Sequence, residues 1–185
     1  MYKFIVLLIF LGSLQACNKK AAVIPEKTPN DKTYFSIIQF ADDQFQTFGE
    51  QPYTFRRVIS LNGKTDSSYV SSFEMDWKSI LQPFFASDIS DKKYLDQYNF
   101  SLFEDDVTDT RTLMYEAKDN KLFTQLLQIV TDQENNKITS IYVETEKNGK
   151  LQKLLYAPVK LIQIQEFETS VIGNDKALKV EYFFL

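Results

Sequence analysis

Asp76 and Asp88 flank a short aromatic segment around Trp77 and make a candidate carboxylate pair for general acid/base work. Such work needs one pKa raised by burial and a pocket between the two groups. Capping accounts for both positions without a substrate: Asp76 starts one helix and Asp88 the next turn. Asp105, Asp106 and Asp109 cluster in one stretch and could offer hard oxygen ligands to Ca²⁺. That stretch lacks the EF-hand spacing and its turn-forming Gly, so a solvated acidic turn is the better reading. Trp77, Phe84, Phe85, Tyr94 and Tyr98 would line a sugar- or lipid-binding surface, although aromatic clusters between helix and sheet more often form core. Arg56 and Arg57 could each grip a phosphate or carboxylate. On adjacent strand positions they face opposite ways, which excludes a bidentate pair. Asp76, Trp77, Asp88 and Arg57 therefore stand as candidate surface or ligand contacts. No residue is assigned to catalysis, a cofactor or a metal.

What is missing narrows the chemistry further. The chain has no His, which removes the commonest general base, the usual neutral nitrogen ligand and every Ser-His or Cys-His nucleophile pair. Its single Cys excludes an intramolecular disulfide and a Cys-cluster zinc or iron–sulfur site. There is no Gly-rich phosphate loop and no G-x-S-x-G elbow. A net charge of −4 recommends no nucleic-acid partner.

The one cysteine, Cys17, has a telling position. Met1-Tyr2-Lys3 gives a short basic start, and an apolar run from Phe4 to Leu11 follows. As a helix that run rises about 12 Å, far short of the ~30 Å hydrocarbon core, so it reads as a secretory signal rather than a membrane span. The ending Leu14-Gln15-Ala16-Cys17 resembles a bacterial lipobox. The resemblance implies cleavage between Ala16 and Cys17, a diacylglycerol on the Cys17 thiol and an acyl chain, such as palmitate, on the new amine. Two or more acyl chains, at ~0.8 kcal/mol per buried CH₂, make such an anchor effectively permanent. The expected organisation is a signal peptide over 1–16, a lipidated Cys and flexible tether over 17–30, and one domain over 31–185. The tether is polar, holds Pro25 and Pro29, and would extend to about 40 Å.

The elements that must position the candidates follow from periodicity. Hydrophobic residues make up 44% and aromatics 15% of the 185 residues, with 16 Phe and 10 Tyr, which favours one domain of well-packed strands. Over 31–48, Tyr34, Ile38, Ala41, Phe45 and Phe48 mark one helical face, with Asn30 as N-cap and Gly49 as stop. Tyr53, Phe55, Ile59 and Leu61 alternate, Asn62-Gly63 supplies a type I′ turn, and Tyr69 and Phe73 alternate on the return. Arg57 breaks the apolar parity and marks a strand end, a bulge or a partner site. Asp76 caps a short helix in which Trp77 and Leu81 stack, and Pro83 stops or kinks it. A second short helix spans 91–97, capped by Ser90. Seven strands follow, over 98–103, 111–117, 122–131, 137–146, 151–159, 161–169 and 177–184, separated mainly by turn signals such as Asn148-Gly149.

The run Met75-Asp76-Trp77-Lys78 … Leu81-Gln82-Pro83-Phe84 … Ser87-Asp88-Ile89 … Tyr98 resembles a pattern in small, uncharacterised lipoproteins of the Bacteroidetes. So does the later Ile138-Thr139-Ser140-Ile141 … Leu154-Leu155-Tyr156 … Leu161. The resemblance implies a source and a location rather than a mechanism, since the family carries no assigned activity. Surface-exported lipoproteins of such bacteria tend to carry acids after the lipidated Cys. Lys19 and Lys20 stand there instead, which points to an outer-membrane protein facing the periplasm.

The expected fold is α+β. The N-terminal amphipathic helix and the short Trp77 helix pack on one face of a curved, mainly antiparallel meander of about nine strands. The expected function is a non-enzymatic, membrane-anchored envelope lipoprotein that binds or assembles with an envelope protein. The alternative is a carrier or chaperone for an apolar ligand, a lipid or an acyl chain, in a half-barrel cavity.

Overall fold

The structure is a computed structural model that describes residues 34–48, 51–169 and 175–185. The expected signal peptide, Cys17, the tether and the Gly173-Asn174 turn lie outside the described residues. One antiparallel sheet of nine strands dominates, in the order β2-β1-β9-β8-β7-β6-β5-β4-β3, and it does not close on itself. Its strands are β1 (Thr54–Leu61), β2 (Lys64–Ser71), β3 (Tyr98–Asp105), β4 (Thr110–Ala117), β5 (Thr124–Asp132), β6 (Ile138–Lys147), β7 (Lys150–Ala157), β8 (Leu161–Glu168) and β9 (Lys176–Phe184). Two α-helices accompany it, α1 (Ile37–Phe48) and α2 (Trp77–Ala86).

The meander runs from β3 to β9, and the first hairpin then adds itself to β9 through β1. Because β2 and β3 lie at opposite edges, the segment between them must carry the chain across the whole sheet. That segment contains α2. Trp77 at its start packs edge-on against Phe55 of β1, with ring centroids 5.5 Å apart. Phe84 reaches Tyr156 of β7, and the Thr124 hydroxyl of β5 donates to the Ser87 carbonyl at 2.9 Å. The helix thus lies against the sheet at both ends and in the middle.

Alternation along the strands makes one face apolar. Across the central strands, Tyr115, Leu127, Val143, Leu154 and Ile164 stand in cross-strand register. Leu113, Ile129, Ile141, Tyr156 and Ile162 form the parallel row. Leu127, Ile129, Val143, Leu154 and Ile162 are each 0% exposed, and they share one core cluster with Ile37 of α1 and Ile80, Leu81 and Phe84 of α2. Burying each such side chain contributes roughly 1.5–3 kcal/mol. The opposite face carries ion pairs, Lys153–Glu144 at 3.1 Å and Lys179–Glu181 at 3.0 Å.

Turn chemistry fixes the register. Asn62 (φ 49) and Gly63 (φ 81) make the first hairpin's positive-φ pair, and Asn148 (φ 54) and Gly149 (φ 75) make the same pair between β6 and β7. Glycine is needed at the second position, because most side chains resist positive φ.

Several expectations need correction. Helix α1 begins at Ile37, not near 31, because Ser36 caps it: the Gln39 N–H donates to the Ser36 hydroxyl at 3.2 Å. Tyr34, Phe35 and Ser36 are not helical, so Tyr34 is out of phase with the helix. Ile37 and Ala41 are buried while Ile38 is 49% exposed, which turns the apolar face from the expected stripe. The side chains of Phe45 and Phe48 lie outside what is described.

Strand β2 ends at Ser71, and Phe73 falls on a 3-10 turn that Ser71 and Glu74 close as a capping box. Helix α2 runs through Pro83 to Ala86. The proline forfeits one ladder bond, to Ser79, and the buried Phe84 holds the last turn against Tyr156. The helix expected over 91–97 is a single 3-10 turn, Lys92–Tyr94, capped by Asp91 rather than Ser90. The strand expected to reach 159 stops at Ala157, since Pro158 starts a turn in which Val159 takes φ 56.

Candidate functional site

Asp76 is the N-cap of α2. Its carboxylate accepts from the Ser79 N–H at 3.2 Å and the Ser79 hydroxyl at 2.6 Å, and these hydrogen bonds hold its pKa below the usual carboxylate value. A lowered pKa is the wrong direction for a general acid. Asp88 serves a different helix. One oxygen accepts from the Ser36 hydroxyl at 3.1 Å and the Ile38 N–H at 2.8 Å, and the other from the Ser90 N–H at 2.8 Å. It therefore clamps the start of α1 onto the turn that follows α2, satisfying an N–H that the helix leaves unbonded. The structure gives the two carboxylates separate structural tasks and does not join them in one site.

Trp77 is a bolt. Its indole N–H donates to the Ser72 carbonyl at 2.9 Å while the ring packs on Phe55, so the half-buried side chain spends both its polar and its apolar parts on the fold. Tyr98 belongs to the same aromatic layer. Its hydroxyl donates to the Thr124 carbonyl at 2.9 Å, and burial pushes its pKa well above the usual tyrosine value. Tyr34 packs edge-on against Tyr98 and Tyr115, which anchors the first described residue beside β3.

Arg57 lies mid-strand in unbroken register, so it marks neither a strand end nor a bulge. It occupies the apolar face, between Ser68 of β2 and Tyr182 of β9. Its Nε is buried with no hydrogen-bond partner among the described residues. Burial raises the pKa of Tyr182 and the Arg57 cation draws it back down. Arg56 points the other way and stacks on Phe183, 4.7 Å from the ring centroid.

The Asp105 stretch is an acidic turn. The Asp105 carboxylate accepts from the Val107 N–H at 2.9 Å and the Thr108 hydroxyl at 2.8 Å, which lowers its pKa. Among the described residues, no group of three or more His, Cys, Asp or Glu is placed to hold a metal ion. No helix among them is long and apolar enough to cross a membrane.

The feature that sequence reasoning missed is an edge. Among the described residues, strand β3 pairs with β4 on one side alone, so its outward N–H and C=O groups have no described strand to bond. Phe100 (54% exposed), Leu102 (51%) and Phe103 (54%) fall in four consecutive positions of that strand. Phe100 and Leu102 stand on the helix-bearing face, across from Tyr115 and Leu113, and Phe103 on the other face. The signal was present in Phe100-Ser101-Leu102-Phe103, an apolar run on both parities. It could be weighted once the strand was known to be an edge. No protein-family model, curated protein or solved structure matches the chain.

Proposed function

We propose that the chain is a lipid-anchored envelope protein that acts by binding rather than by catalysis, and that strand β3 is its docking edge. The observation that carries this is the row Phe100, Leu102 and Phe103 on a strand whose outer edge has no partner among the described residues. An exposed, apolar edge is a template for another strand, whose main-chain hydrogen bonds supply affinity and whose side chains supply specificity. The carboxylates Asp76 and Asp88 support the non-enzymatic reading because hydrogen bonds within the fold occupy both. The lipobox-like Cys17 supports an anchor, and Lys19-Lys20 support an outer-membrane protein facing the periplasm. Two register shifts between β5 and β6 support a sheet curved around the helices in an α+β domain, since bulged strands bend.

The test places a photo-crosslinking residue at Phe103, and separately at Asp66 on the other edge, in the full membrane-borne chain. Protein adducts at position 103 and none at 66 are expected; equal labelling overturns the reading. Turnover by the purified protein that a single Asp or Ser substitution abolishes would overturn its non-enzymatic part.

A carrier for an apolar ligand is the second reading, and Arg57 favours it. A buried cation atom without a partner is costly. Half-buried Ile59 and Val180 lie beside it, the surroundings an amphiphile with an anionic head would seek. Native mass spectrometry should then find a co-purifying anionic amphiphile that Arg57→Met releases. A spectrum of bare protein removes the carrier.

A further inference from the structure

We infer that the partner of the β3 edge is a second copy of this chain, joined by antiparallel β3–β3 pairing with Ser101 opposite Ser101. This rests on the reading of β3 as the docking edge and goes further by naming the occupant. A two-fold axis normal to the sheet keeps the helix-bearing faces of both copies on the same side, so each residue opposes one of equal face. Four registers keep that parity near the strand centre. Centring on Leu102 sets Phe100 against Glu104, and centring on Phe100 or Phe103 shortens the paired length. Centring on Ser101 opposes Phe100 to Leu102 of the second copy and Asn99 to Phe103, pairing the strand from Tyr98 to Glu104. Exposed Phe100 and Leu102 then cover one another on the helix-bearing face, and Phe103 lies over Asn99 on the other.

Charge selects the direction. One end of β3 carries Glu104, Asp105, Asp106 and Asp109, with Arg111 paired to Glu104 at 2.9 Å. The other end is bordered by Lys92, Lys93, Lys118 and Lys121 against Asp91, Asp96, Glu116 and Asp119, a balanced set. Parallel pairing would set the two acidic turns side by side. Antiparallel pairing separates them by the length of the strand and brings each toward the charge-balanced end of the other copy. The place of Tyr34 agrees with this geometry. Tyr34, the first described residue, packs on the helix-bearing face of β3 and β4, so a two-fold normal to the sheet sets this residue of both copies on one side. Two copies held in one bilayer need that, and the shared surface raises their effective concentration.

Disulfide trapping tests the register. In a two-fold pair, Cα atoms of residues directly opposite lie about 4.5–5.5 Å apart, within disulfide reach. Residues two places off the axis are about 13 Å from their own copies, out of reach. The full, membrane-inserted chain carrying Ser101→Cys should form disulfide-linked dimer on mild oxidation. Asn99→Cys should give about tenfold less, and the wild type, with Cys17 alone, a background level. Equal dimer from both variants, or none from Ser101→Cys, overturns the pairing. In the latter case the crosslinker at Phe103 separates the failures. An adduct with a different protein retains β3 as the docking edge and removes the second copy, and no adduct removes both.

Discussion

The two edges of the sheet are built on opposite principles. Strand β2 is Lys64-Thr65-Asp66-Ser67-Ser68-Tyr69-Val70-Ser71, with exposed Lys64 and Asp66 among polar neighbours and Tyr69 as its exposed large apolar side chain. Strand β3 is Tyr98-Asn99-Phe100-Ser101-Leu102-Phe103-Glu104-Asp105, with three exposed apolar side chains before its charges begin. Charged edges repel strand addition and apolar ones invite it. Both strands are eight residues long and both flank one neighbour, so length and topology cannot explain the contrast. Open sheets need their edges protected, and here one edge carries charge while the other leaves three apolar side chains exposed.

If association belongs to β3 and stability to the covered centre, substitutions should separate the two. Phe84→Ala empties the place where α2 meets Tyr156 and should cost about 3–5 kcal/mol of unfolding free energy in denaturant titration, the largest effect expected. Phe103→Lys should leave that titration within about 0.5 kcal/mol, as for a surface position. It should weaken copy–copy association in vesicles about 100-fold by energy transfer, because a lost apolar contact and a stranded charge count once in each copy. Thr65→Lys on β2 should change neither. Comparable losses from the two lysines would erase the difference between the edges.

Asp88→Ala sharpens the comparison from the helix side. It removes the acceptor that ties Ser36 and the Ile38 N–H of α1 to the turn after α2. Hydrogen bonds to a charged group contribute roughly 1.5–3 kcal/mol, and a loss of that size is expected in thermal unfolding, with β3 association still measurable. A variant of wild-type stability would return Asp88 to the list of ligand contacts.

The smallest effect is a pH response. With no His, the side chain that most often titrates near neutrality is missing, and stability should be nearly flat from about pH 6 to 8. Tyr98 and Tyr156 have pKa values raised by burial above the usual 10.0. Above pH 10 the unfolded chain releases these protons while the folded one keeps them, so stability falls as pH rises. Tyr156→Phe should make that alkaline fall shallower in circular-dichroism melts.

Local signals in the sequence carried much of this fold. Asn62-Gly63 and Asn148-Gly149 announced two hairpins because positive φ is a local demand, and Asp76 announced α2 because a cap bonds three residues on. Long-range facts did not show. Nothing near Tyr53–Leu61 indicates that β1 pairs with β9, and the exposed Ile38 was misread because Tyr34 owes its place to Tyr98 rather than to helical phase. Asp88 was legible as a cap, but not that its helix begins fifty residues earlier in the chain. The apolar run at Phe100 could mean a doubly buried strand or an exposed edge, and topology alone decides between them.

Amide hydrogen exchange of the full lipidated chain in vesicles, at rising surface density, addresses the β3 edge most directly. The account predicts that amides across 99–103 become protected as copies crowd together, while those across 65–69 on β2 exchange as fast as before. Unchanged exchange on β3 at every density, or protection that grows equally on both strands, would contradict it.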